Sequence, residues 1–137
     1  MKTFFDSSAL VKRYIHEEGT DRVIDLCNDS SEIIVSIICI TEVLSACNRL
    51  LRENLISKKQ YDIIKNEFLN DIDSATVVNL TGEVIQVSIN CLEKGTNRSL
   101  DALHIGAAIT YNSDRFITGD MRQKSIAEVM GLSVESC

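Results

Sequence analysis

The chain has 137 residues, 45% of them hydrophobic and 25% charged, which is typical of one globular domain over residues 1–137. Its net charge of −6 argues against binding nucleic acid through a broad basic surface, and its aromatic content of 5% argues against a stacking platform for single strands. The cysteines are odd in number without C-x-x-C spacing, and we find no signal peptide or membrane-spanning apolar run. We therefore expect a cytoplasmic protein without a zinc site, a disulfide framework or a membrane anchor.

Apolar strands alternate with helical segments along the chain. We predict strands at residues 3–5, 32–35, 75–80 and 115–118, and a fifth at 132–134. Two short helices are predicted to end near residues 15 and 27, and longer ones to span 36–54, 58–72, 83–92, 99–111 and 123–130. This alternation predicts an α/β fold with a four- or five-stranded parallel sheet that is covered by helices on both faces.

Polar residues before several helices are predicted to cap them. Ser7 or Ser8 precedes the first helix, and Thr20 or Asp21 precedes the second. Thr81 precedes the helix that follows the third strand. A side-chain oxygen at each of these positions can accept a hydrogen bond from a free backbone N–H of the helix.

Four acids stand out by their positions. They follow the first strand, lie in the helix after the second strand, lie in the first turn of the helix at 99–111 and follow the fourth strand: Asp6, Glu42, Asp101 and Asp120. Taken singly, Asp6 and Asp120 can be turn or cap acids, and Asp101 can favour a helix N-terminus. Helical spacing turns Glu42 away from the apolar stripe of its helix, so periodicity does not show that Glu42 is buried.

The joint placement of the four acids favours a metal site. The first and fourth strands of such a sheet would be neighbours, so Asp6 and Asp120 would leave the same edge. The helices that carry the other two acids begin at that edge as well. Converging carboxylates repel one another unless cations lie between them, and oxygen ligands favour Mg²⁺ or Mn²⁺ over Zn²⁺. Two such ions, about 3.5–4 Å apart, would suit the hydrolysis of a phosphodiester bond.

Other catalytic arrangements have less support. The chain has no P-loop, no G-x-G-x-x-G motif and no Ser–His–Asp arrangement, and Ser7 and Ser8 lack an evident histidine base. His104, one helical turn after Asp101, is predicted to be a packed or hydrogen-bonded helix residue rather than a catalytic base. His16 lies in an acidic run and is predicted to be solvated.

Four stretches of the chain carry a family resemblance. In order they are FFDSSALVKRYIHEEG, VSIICITEVLSACNRLLREN, SLDALHIGAAI and DRFITGDMRQKSIAEVMGL. Together, at matching separations over almost the whole chain, they resemble the PIN-domain ribonucleases of the VapC toxin type. The resemblance implies a three-layer α/β/α sandwich. One departure is Gly106, where the family commonly has Ala and where Gly costs about 1 kcal/mol within a helix.

The resemblance also implies a chemistry, that of a Mg²⁺- or Mn²⁺-dependent endoribonuclease that leaves a 5′-phosphate and a 3′-hydroxyl. The family's acidic quartet falls on Asp6, Glu42, Asp101 and Asp120. Asp6 and Asp101 would hold the main metal ion, and the other two acids would complete the cluster directly or through water. Ser8 and Thr118 match hydroxyl positions that support metal, water or substrate in the family.

The partners of such a protein follow from the same resemblance. Family members usually form homodimers and are held inactive by a cognate antitoxin, so we expect both partners together with an RNA substrate. The helices around Ile40–Leu51 and Tyr61–Leu69 are long and amphipathic, and they are our candidates for the dimer face. Arg98, Arg122 and Lys124 flank the acids and are candidate contacts for substrate phosphates.

Three alternatives remain open at this point. The chain can be a PIN-domain nuclease of RNA processing that has no antitoxin. It can also be a catalytically silent PIN scaffold that acts by protein binding, although the intact quartet argues against this. A phospho-acceptor receiver needs an Asp at the end of its third strand, and residues 75–80 contain no acid.

Overall fold

The structure is a computed structural model that describes residues 1–137 and contains five strands and seven helices. In chain order the elements are β1 (Lys2–Phe5), α1 (Ser7–Tyr14), α2 (Thr20–Asp29), β2 (Glu32–Ser36), α3 (Ile38–Arg52), α4 (Lys58–Ser74), β3 (Thr76–Val78), α5 (Gly82–Lys94), α6 (Ser99–Thr110), β4 (Arg115–Thr118), α7 (Met121–Val129) and β5 (Val134–Ser136). None of the helices is both long enough and apolar enough to cross a membrane.

The five strands form one parallel sheet in the order β3-β2-β1-β4-β5. β1 lies at the centre, where Phe4 is in register with Ile34 of β2 on one side and with Phe116 of β4 on the other. Helices pack on both faces of this sheet. The predicted parallel sheet and three-layer α/β/α sandwich are therefore confirmed.

Successive residues of the central strands supply two apolar cores. Phe4 and Phe116 stack with their ring centroids 5.4 Å apart in the core that the sheet forms with α5, α6 and α7. Phe5 and Ile117 point to the opposite face, into the core formed with α1 to α4. Because these strands are buried on both faces, their sequences are continuous apolar runs rather than alternating ones.

The strand bounds differ from the sequence predictions by one residue in β1 and β2 and by more in β3 and β5. β3 is shorter than predicted, and β5 begins two residues later than predicted. Pairing with β4 sets the bounds of β5, because Phe116 N donates to the Ser133 carbonyl at 2.8 Å and Cys137 N donates to the Thr118 carbonyl at 3.1 Å. Such partner contacts cannot be read from local sequence.

The predicted cap of α1 is wrong. Asp6, rather than Ser7 or Ser8, is the N-cap residue, and its Oδ1 accepts a hydrogen bond from Ala9 N at 2.9 Å. The carboxylate that ends β1 is thus held in place by the helix that follows it.

The other two predicted caps have different outcomes. Neither Thr20 nor Asp21 caps α2, which begins after Gly19 in a left-handed conformation with φ of 95°. Thr81 does cap α5, where its hydroxyl oxygen accepts a hydrogen bond from Val84 N at 3.3 Å. A glycine is favoured before α2 because a side chain at that φ would be strained.

Gly106 allows α5 and α6 to pack closely. A Cβ at Gly106 would lie 2.3 Å from Ser88 Oγ and 2.8 Å from the carbonyl oxygen of Val84. The serine side chain can turn away but the backbone oxygen cannot. We therefore expect Gly106→Ala to lower the free energy of unfolding by about 1–3 kcal/mol, although Ala is the better helix former.

Urea unfolding would measure this effect, with Gly82→Ala at the start of α5 as the matched control. A Cβ at Gly82 would meet nothing within 4 Å, so that variant is expected to be as stable as the original protein or slightly more stable. A Gly106→Ala protein as stable as the Gly82→Ala protein would contradict the close packing.

Candidate active site

The carboxyl ends of β1 and β4 form the edge at which the predicted acids lie. β1 and β4 pair directly, as predicted, and the chain runs outward from them in opposite directions through the sheet. Asp6 follows β1, and Asp120 follows β4 and caps α7. Such a reversal of strand order is where open α/β sheets bind ligands.

Asp6 is almost fully buried, with 3% of its surface exposed. Its Oδ1 accepts hydrogen bonds from Ser8 Oγ at 2.7 Å and from Ala9 N at 2.9 Å, and its Oδ2 accepts one from Thr118 Oγ1 at 2.5 Å. Burial raises the pKa of Asp6 above its ordinary value, and the hydrogen bonds oppose that rise without cancelling it. A nearby cation would favour the ionised form of this carboxyl group.

The hydroxyls of Ser8 and Thr118 tie Asp6 to the turn after β4. Thr118 Oγ1 accepts a hydrogen bond from Asp120 N at 3.0 Å while it donates to Asp6. Ser8 Oγ accepts one from Gly119 N at 2.9 Å while it donates to the same carboxylate. These two residues therefore fix the position of one acid relative to the backbone of another.

Glu42 is held by residues from two other helices. Its Oε1 accepts a hydrogen bond from Ser7 Oγ at 2.7 Å and lies 2.6 Å from Nε2 of His104. Burial alone would raise the pKa of Glu42, but the hydrogen bonds from His104 and Ser7 lower it below its ordinary value. Glu42 is therefore not a freely solvated helix residue, and His104 is hydrogen-bonded as predicted.

Asp101 and Asp120 share one cationic side chain. Arg98 Nε lies 3.0 Å from Asp101 Oδ2, and its Nη2 lies 3.8 Å from Asp120 Oδ2. Arg122 Nε is 3.8 Å from the other oxygen of Asp120. The carbonyl of Asp101 accepts a hydrogen bond from Gln123 Nε2 at 3.1 Å, which links α6 to α7. Both acids are thus close enough to be neutralised by a single positive group.

A family model described as PIN domain matches residues 3–129 of this fold. The chain belongs to the PIN domain family. The family predicted from the four sequence stretches is therefore confirmed. A comparison with curated protein sequences found no match.

Solved structures of toxin–antitoxin systems share the architecture of this PIN domain. DNA-bound VapBC from Salmonella typhimurium is 13% identical with a TM-score of 0.71, over 99% of this chain and 98% of that chain. VapBC2 from Rickettsia felis is 13% identical with a TM-score of 0.71, over 100% of this chain and 99% of that chain. VapC20 from Mycobacterium tuberculosis is 12% identical with a TM-score of 0.68, over 90% and 93%. At these identities the similarity establishes the fold alone.

The four acids of this PIN domain are not drawn into one preformed cluster. No three of its His, Cys, Asp and Glu side chains are placed so that they form a ready metal site. Asp6 accepts hydrogen bonds from the hydroxyls of Ser8 and Thr118. Glu42 contacts His104, and Asp101 and Asp120 both lie beside Arg98. Among the predicted phosphate contacts, Arg98 and Arg122 lie beside these acids and Lys124 forms no ion pair.

Sequence reasoning missed the contacts of Ser7 and Gln123. No histidine was predicted to lie beside or to act as a base for Ser7 or Ser8, and Ser7 Oγ in fact lies 3.3 Å from Nε2 of His104, which is not placed as its base. The spacing of two adjacent serines does not reveal which of them faces the histidine. Gln123 is only 1% exposed, and no periodic pattern marks it. The one sequence signal for the contact between Ser7 and His104 was that His104 lies on the same predicted helix as Asp101.

Proposed function

We propose that residues 1–137 are a single PIN domain that acts as a divalent-metal-dependent endoribonuclease, the toxin of a toxin–antitoxin pair. The observation that carries this proposal is the guanidinium of Arg98 between Asp101 and Asp120. It shows that two carboxylates at the sheet edge already share one positive charge. A metal ion would supply the same neutralisation with more charge in a smaller volume.

The donor set at the sheet edge fits Mg²⁺ or Mn²⁺. The four acids offer only oxygen ligands, and Nε2 of His104 is already engaged by Glu42. We propose that Asp6 and Asp101 hold the ion, while Glu42 and Asp120 contribute directly or through water. When bound, the ion would polarise the phosphoryl oxygen and stabilise the leaving oxygen of a phosphodiester.

The surrounding side chains would orient the acids and the substrate. Ser8 and Thr118 keep Asp6 in one position through their hydroxyl groups. The Arg98 side chain is 70% exposed and can reach an RNA phosphate when it leaves its acids. We propose Arg122 and Lys124, on the first turn of α7, as contacts for neighbouring phosphates.

The partners proposed for this PIN domain draw on the structures that share its fold. VapC20 is described as a sarcin–ricin loop cleaving toxin, and the Salmonella and Rickettsia proteins as VapBC bound to DNA. We accordingly propose RNA as the substrate, a cognate antitoxin as the inhibitory partner, a homodimer as the assembly and the cytoplasm as the site of action.

The metal part of the proposal predicts a specific effect of Arg98→Ala. Because the guanidinium competes with a metal ion for two acids, its removal is expected to tighten Mn²⁺ binding. Exposed ion pairs are weak, so the expected gain in affinity is at most about fivefold. Electron paramagnetic resonance of free Mn²⁺ during a titration measures the affinity directly.

The matched control is Arg22→Ala, because Arg22 is an exposed arginine whose partner, Glu135, is not one of the four acids. Mn²⁺ affinity is expected to be unchanged in that variant. Failure of the original protein to bind Mn²⁺ would contradict the metal proposal. Weaker binding by Arg98→Ala would contradict the competition.

A further inference from the structure

The edge of the sheet near Asp6, Glu42, Asp101 and Asp120 is called the acid edge. His104 connects three helices beneath it. It lies on α6, is 2% exposed, and packs edge-on against Phe4 with ring centroids 6.2 Å apart. Its Nε2 is 2.6 Å from Glu42 Oε1 on α3 and 3.3 Å from Ser7 Oγ on α1. A histidine so deeply buried and so close to an acid of the site calls for a role beyond packing.

The contacts of the ring assign its proton. An ionised carboxylate can only accept hydrogen bonds, so the short contact with Glu42 requires a proton on Nε2. Nδ1 is buried and has no hydrogen-bond partner, so a proton there would be an unsatisfied buried donor. The ring is therefore a donor toward Glu42. It is not a base for Ser7, whose own hydroxyl proton points to the same carboxylate.

The two hydrogen-bond donors leave one carboxylate oxygen of Glu42 free. Ser7 and His104 both contact Oε1, whereas Oε2 accepts no hydrogen bond from the protein. Glutamate has three rotatable side-chain bonds, and an exposed one would sample many rotamers. Fixing one oxygen restricts the other to a narrow set of positions.

We propose that His104 is a positioning residue, which pins Glu42 through Nε2–H so that the free carboxylate oxygen faces the acid edge. This inference rests on the proposed metal-dependent nuclease and extends it from the four acids to the group that orients one of them. Groups that orient metal ligands commonly change metal affinity or activity by about 10–100-fold when they are replaced.

Two variants of His104 separate positioning from packing. His104→Gln keeps an N–H donor at about the distance of Nε2, whereas His104→Leu fills the space without a donor. We expect His104→Leu to weaken Mn²⁺ affinity and to lower kcat for RNA cleavage by about 10–100-fold, with little change in KM. His104→Gln is expected to restore most of both losses.

A packing role alone predicts a different result. Both variants would then lose folding stability in urea but would keep the Mn²⁺ affinity and the kcat of the original protein, and this outcome would overturn the proposal. If the original protein neither binds Mn²⁺ nor cuts RNA, the proposed function itself fails. Loss confined to the variants is therefore distinguishable from that failure.

One measurement on the unmodified protein tests the geometry even if the variants fold poorly. Nitrogen NMR of ¹⁵N-histidine-labelled protein reports which ring nitrogen carries the proton. A proton on Nε2 of His104 is expected. A bare Nε2 would overturn the proposal, because the ring could then not donate to Glu42.

Discussion

Asp101→Asn is expected to weaken Mn²⁺ binding and to slow RNA cleavage by at least about 100-fold. The substitution keeps the size of the side chain but removes one of the two negative charges that share Arg98. The remaining acid, Asp120, would then be neutralised by the arginine alone. The two losses are expected together, because one carboxylate would provide both the ligand and the charge. Mn²⁺ titration and a cleavage assay on the same preparation measure them.

Asp25→Asn is the matched control for this change. Asp25 is exposed on α2, which carries none of the four acids. The variant therefore has the same net charge as Asp101→Asn but keeps all four acids. It should bind Mn²⁺ and cut RNA as the original protein does. Cleavage by Asp101→Asn at the control rate would remove this acid from the proposed site.

Asp6→Asn is expected to abolish cleavage and yet to stabilise the metal-free fold at neutral pH. Burial raises the pKa of Asp6 above its ordinary value of 3.8, so the unfolded chain ionises at a lower pH than the folded protein does. The stability of the original protein therefore falls as the pH rises from 3.8 through the folded-state pKa. Asparagine does not ionise, so Asp6→Asn avoids this loss of stability. Its free energy of unfolding at neutral pH is expected to exceed that of the original protein by on the order of 1 kcal/mol.

Urea unfolding in EDTA at a series of pH values between acid and neutral measures this effect. The difference between Asp6→Asn and the original protein is expected to grow as the pH rises above 3.8, the ordinary pKa of this carboxyl group. Asp25→Asn, at an exposed position of α2, serves as the control for the removal of one carboxylate. A variant less stable than the original protein at every pH would show that the hydrogen bonds of Asp6 outweigh the cost of burying its charge.

The sheet and the edge were predictable because they depend on patterns that local sequence records. Phe4 and Phe5 are both apolar because β1 is buried on its two faces, and this marks a central strand of a parallel sheet. Once β1 and β4 are neighbours, the positions of Asp6 and Asp120 follow from the chain direction.

The contacts within the site were less predictable because they join residues far apart in the chain. Glu42 lies off the apolar stripe of α3, and its carboxylate contacts His104, 62 residues away, and Ser7, 35 residues away. The carboxylate of Asp6, which caps α1, also accepts a hydrogen bond from Thr118, 112 residues away. None of these contacts can be predicted from helical spacing.

The central claim is that the acid edge cuts RNA with the help of a metal ion, and cleavage of total cellular RNA tests it most directly. Antitoxin-free protein would be incubated with this RNA and Mg²⁺ or Mn²⁺, beside samples with EDTA and with Asp101→Asn, and the new 5′ ends would be mapped. We predict discrete cuts with 5′-phosphate ends that are absent from both controls. Intact RNA from folded, metal-bound protein, or cuts that persist in EDTA, would contradict the claim.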